Sequence, residues 1–101
     1  MLDGKLSSDE AARLFYSDFW MTWTLAQRAG FWLYQTYACL PLEEARAALT
    51  ECLGREVNLY EFGDFAKLRA EFESLGFAEF KLDDMLATLS SEQLAALQLE
   101  G

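Results

Sequence analysis

The chain has 101 residues with 17 acids, 8 bases and no histidine, for a formal net charge of −9 at pH 7. That field repels nucleic acid and anionic membrane and attracts basic protein surfaces. An apolar content of 52% with 15% aromatic residues excludes a disordered chain.

The expectation is one domain over residues 1–101, mostly α, built as a small bundle of about five helices. The first ten residues hold acids and a glycine where a signal peptide has a basic start and an apolar run. The longest uncharged run, from Ala29 to Leu42, falls short of the roughly 20 residues that span a bilayer. A cytoplasmic protein without membrane contact is therefore expected. Residues Leu2 to Leu6 and the last few are expected to fray.

Ser7 and Glu10 have capping-box spacing, in which each side chain accepts the other's backbone amide, and open a predicted helix over 8–29. Ala12, Phe15, Tyr16, Phe19, Trp23 and Ala26 follow helical spacing as its apolar stripe. Leu14, Trp20, Met21 and Leu25 fall on other faces, which predicts a central helix surrounded on all sides. Nine of the fifteen aromatic residues lie between Phe15 and Tyr37. Exposure of part of Trp20, Trp23, Phe31, Trp32 and Tyr34 would make an interaction patch, for a homodimer or a foreign partner.

The segment from Phe31 to Tyr37 reads as helix. A two-stranded β element pairing it with Phe77 to Leu82, where Ala78, Phe80 and Leu82 alternate with charged residues, is the alternative. Pro41 suits the first position of a helix over 41–53, and Gly54 suits its end. Cys39 and Cys52 have no further cysteine or histidine to complete a zinc site, and read as buried thiols.

Asn58 and Glu61, flanked by Val57 and Phe62, predict the start of a helix over 59–75. Phe65, Leu68, Phe72 and Leu75 are its apolar stripe, and Gly76 closes it. A helix over 83–89 takes Asp83 as its N-cap. Ser90 and Gln93, between Leu89 and Leu94, repeat the capping box for a helix over 91–99.

Residues 1–42 carry a net charge of −1 and residues 43–101 carry −8. Some acids sit at pairing distance from bases along a helix, as with Glu51 and Arg55 or Lys67 and Glu71. No residues form a Ca²⁺ loop, a phosphate loop or a nucleophile motif, so neither cofactor nor catalysis is expected. The expected role is binding to a protein with a basic surface, with no direct nucleic-acid contact. Its most specific form is a phage-type inhibitor that blocks a nucleic-acid-handling machine, as anti-CRISPR and anti-restriction proteins do. Glu61, Asp64, Glu71 and Glu73 are the first candidates for acidic contacts, with Trp20, Trp23, Trp32 and Tyr34 as aromatic anchors. Two rivals are an adaptor docking through the aromatic helix, and a small-molecule binder with a pocket lined by Trp20, Trp23 and Trp32.

Overall fold

The computed structural model of the chain describes residues 4–97. Expectations for residues 1–3 and for the end of the last helix, 98–99, lie outside the described residues. Those described form six α-helices and two 3-10 turns, with no strand among them.

Ser7 opens α1 (Ser8–Ser17), its hydroxyl accepting the Glu10 N–H at 3.2 Å while the Glu10 carboxylate accepts the Ser7 N–H at 2.9 Å. The continuous helix expected over 8–29 is not formed. Asp18 ends α1 in the left-handed region at φ 62°, a conformation that breaks an α-helix and that short polar residues tolerate best. A 3-10 turn follows (Phe19–Thr22), and Thr24 then caps α2 (Leu25–Trp32). Its hydroxyl accepts from Gln27 N–H at 3.1 Å, and the Gln27 side chain accepts from Thr24 N–H at 2.9 Å. These local bonds satisfy the amides that a continuous helix would have bonded.

The apolar stripe is displaced as well. Ala11 and Leu14 face the core, whereas Ala12 and Tyr16 are exposed and Phe15 and Phe19 half-buried. The aromatic helix is therefore not a central one, and the fully buried Phe31 of α2 takes that place. Only Phe31 and Trp32 of the segment ending at Tyr37 are helical. The alternative β element is replaced by one backbone bond, from Phe80 N–H to Gly30 C=O at 3.0 Å.

Pro41, expected at the first helical position, sits instead at the N-cap, so α3 (Leu42–Leu53) starts one residue later, and Gly54 ends the helix at φ 70°. Ala45, Ala48, Leu49 and Leu53 form the buried stripe of α3, and α2 and α3 make the most extensive helix pair. The helix expected over 59–75 is divided into a 3-10 turn (Leu59–Gly63) and α4 (Phe65–Ser74). At the junction Asp64 Oδ1 accepts the Lys67 N–H at 3.2 Å and caps α4.

Lys81, not Asp83, occupies the cap of α5 (Leu82–Ala87), because Leu82 and Met85 both turn inward and start the helix one residue earlier. Asp83 and Asp84 lie in its first turn, where negative charge complements the helix dipole. The box of Ser90 and Gln93 opens α6 (Ser91–Leu97) as expected, and α6 packs on α1.

Leu6 does not fray. It is buried, its N–H donates to the Gln35 side chain at 2.9 Å, and the Lys5 ammonium donates to the Tyr34 carbonyl. Edge-to-face ring contacts join Trp23, Phe31 and Phe80 in one part of the core and Trp32, Phe62 and Phe65 in another. The radius of gyration, 13.2 Å, is that of a compact domain of this length. Among the described residues no helix is long and apolar enough to cross a membrane.

Candidate protein-binding surfaces

The described residues include no buried polar or charged side chain, so the acidity lies at the surface. Its free carboxylates are not those that composition singles out. Arg55 lies between Glu61 and Glu71. Nε and Nη2 donate to the two Glu71 oxygens at 2.9 and 2.7 Å, and Nη1 and Nη2 donate to those of Glu61 at 3.0 and 2.7 Å. The expected helix-surface partner of Arg55, Glu51, is replaced by two carboxylates brought in by tertiary packing. Paired, bidentate geometry of this kind gives the strongest charge-assisted hydrogen bonds.

These bonds set the acidity of both carboxyls. Hydrogen bonding to Arg55, and to the Asn58 N–H at 2.8 Å, holds Glu61 down at about 2. Arg55 likewise lowers Glu71. Asp64 caps α4, and Glu73 accepts the Tyr34 hydroxyl. Burial, followed by that bond to Glu73, raises the Tyr34 pKa. Each of the four candidate acids thus has an internal partner, and Tyr34 is tied to one of them.

The three tryptophans belong to the core. Trp20, Trp23 and Trp32 are 5%, 5% and 8% exposed, which corrects the picture of an exposed tryptophan patch. Trp20 donates its indole N–H to the Phe15 carbonyl at 3.2 Å beneath the Arg28 guanidinium. Trp23 and Trp32 sit in the two separate ring clusters, so the three indoles do not face one another around a common pocket. Their large apolar area is needed inside so small a domain.

The exposed apolar side chains are others. Tyr60, 81% exposed, and Leu59 project from the second 3-10 turn, and Tyr16, 80% exposed, and Met21 project near the first. Composition does not distinguish them from core residues. Which faces of α1 and of the 3-10 turns meet the core is what leaves them outside.

Two surface grooves share no residue. One, of about 360 Å³, runs along the outer face of α3 and is lined by Leu25, Ala47 and Thr50 together with Glu43, Glu51 and Glu56. Arg46 also lines it, donating to the Val57 carbonyl at 2.7 Å and lying 3.4 Å from Glu56 and 4.0 Å from Glu43. Glu51 makes no hydrogen bond or ion pair through its carboxylate among the described residues. The second groove, of about 470 Å³, lies between α1 and α6 and is lined mainly by apolar residues, Tyr16 and Phe19 among them.

Comparison with known protein families, curated proteins and solved structures returned no match.

Proposed function

We propose that this chain is a small acidic protein that binds the basic surface of another protein, in its most specific form as an inhibitor of a nucleic-acid-handling machine of the anti-CRISPR or anti-restriction type. The observation that carries this reading is the α3 groove, lined by the apolar Leu25 and Ala47 together with three exposed carboxylates, one of which, Glu51, makes no ion pair among the described residues. A lysine or arginine can lay its methylene stem against such apolar side chains while its charge meets the carboxylates. The remaining surface acids steer a basic partner toward the molecule, which raises the association rate more than the final affinity. Glu61, Asp64, Glu71 and Glu73 leave the contact set in this reading, since each is already bonded within the fold.

The test is a tagged pull-down from the native host lysate, washed at low and high salt, followed by kinetics on the captured complex. Salt-labile retention of a nucleic-acid-handling complex is expected. Glu43→Gln, Glu51→Gln and Glu56→Gln combined should slow association about tenfold or more and flatten its salt dependence. Salt-resistant capture of an unrelated protein overturns the reading. It would favour the adaptor alternative instead, whose support is the exposed Leu59 and Tyr60 pair on the 3-10 turn.

A further inference from the structure

The geometry points to a further binding site, a small uncharged pocket between the loop after α2 and the start of α4, that receives a proline-containing extended segment of a partner protein. Its volume is about 110 Å³, and Trp32, Gln35, Thr36, Tyr37, Ala38 and Phe65 line it. A small-molecule site usually needs about 300 Å³ or more, so this one has the size for a single apolar side chain or ring. On a chain of charge −9, residues 29 to 42 carry no charge at all, and no charged side chain lines the pocket. Neither a lysine nor a phosphate group meets a counter-charge there.

The walls are aromatic and already fixed. Trp32 meets Phe62 and Phe65 edge to face, with ring centroids 5.0 and 5.2 Å apart, while Phe65 and Tyr37 stay exposed. Rings held in this way limit the side-chain ordering that association costs. The rim carries uncommitted hydrogen-bond donors. The Trp32 indole N–H has no acceptor among the described residues and is not sealed from solvent. The hydroxyls of Thr36 and Tyr37, and the backbone N–H groups of Thr36, Tyr37 and Ala38, also make no hydrogen bond among the described residues.

Aromatic walls beside neutral donors call for a ligand with apolar rings and uncharged acceptors. A proline-rich segment is that complement: in polyproline II form its carbonyls are free, its proline nitrogens bear no hydrogen, and it has little conformational entropy left to lose. Other common modes of peptide recognition do not fit. No strand among the described residues offers an edge for β-addition. An amphipathic helix sets its anchors over two turns, which needs a groove longer than this pocket.

The site is independent of the proposed basic partner, because it shares no residue with the α3 groove. The test titrates the ¹⁵N-labelled full chain with decaproline and, separately, with a glycine–serine decapeptide. Decaproline should shift the Trp32 indole N–H resonance saturably, together with the amides of Thr36 to Ala38, and the glycine–serine peptide should not. Tyr37→Ala should weaken binding about tenfold or more with an unchanged circular dichroism spectrum, since that side chain is outside the core. Tyr16→Ala, and Glu43→Gln, Glu51→Gln and Glu56→Gln combined, should leave decaproline binding unchanged. Absence of a saturable shift overturns the inference. So do equal shifts with both peptides, or binding that survives Tyr37→Ala.

Discussion

Gly30 and Phe80 meet backbone to backbone, with the Phe80 N–H donating to the Gly30 carbonyl at 3.0 Å. A Cβ at position 30 would lie 2.8 Å from the Ala78 carbonyl oxygen and 3.1 Å from the Phe80 nitrogen. The 77–81 segment therefore docks on α2 only because residue 30 has no side chain. Gly30→Ala gains about 1 kcal/mol of helix propensity, but a methyl group forced against backbone costs about 1–3 kcal/mol. The clash prevails, since peptide atoms cannot rotate away as a side-chain end can. Thermal unfolding should show a lower Tm for Gly30→Ala; an unchanged or higher value would mean that the segment retreats freely.

Leu14 and Tyr16 separate the two faces of α1. Leu14 is fully buried and Tyr16 is 80% exposed. Leu14→Ala should destabilise by about 2–5 kcal/mol and Tyr16→Ala by less than about 0.5 kcal/mol in urea titrations at a concentration where the chain is monomeric. The reverse order would restore the stripe of Ala12, Phe15 and Tyr16 as the core face.

Arg55 makes stability depend on acid. Glu61 is held down at about 2 in the folded chain, against a starting value of 4.5, and Glu71 is lowered in the same direction. A carboxyl with a depressed folded pKa stabilises the fold above its unfolded pKa, and that contribution is lost as pH falls through the folded value. The window thus runs from about 4.5 down to about 2. Arg55→Gln should be less stable than the parent at neutral pH, lose stability less steeply below that upper limit, and converge with the parent toward its lower end. Parallel pH profiles for the two proteins would remove the triad from the account of stability.

The two thiols should differ in reactivity. Cys39 is fully buried, and burial pushes its thiol up to about 12. Cys52 is only half-buried, and burial followed by the nearby Glu51 raises its pKa as well. The thiolate is the reactive form, so mild alkylation of the folded chain should label Cys52 slowly and Cys39 only after unfolding. Labelling of both at equal rates would contradict this burial.

Ser7 with Glu10, Ser90 with Gln93, and Gly54 could be read from the sequence because each acts within one turn of its own helix, where a bond depends on spacing alone. Thr24 and Gln27 have the same spacing, and this pair marks the start of α2. The dense run of aromatic residues from Phe15 to Trp23 conceals it by allowing a continuous apolar pattern. The all-helical class and the surface acidity likewise follow from periodicity and composition.

Tertiary structure decided which face of α1 is buried, since apolar residues surround that helix and only the neighbours it meets select Ala11 and Leu14. It also decided that the tryptophans lie inside, and which carboxylates remain free. Arg55 meets Glu71 across sixteen residues, and no local rule of spacing links positions that only packing brings together. The sequence by itself therefore determined the capping boxes that open α1 and α6 and the sign of the charge, because these depend on local spacing and composition, while the packing of the helices determined which charges and rings are left facing outward.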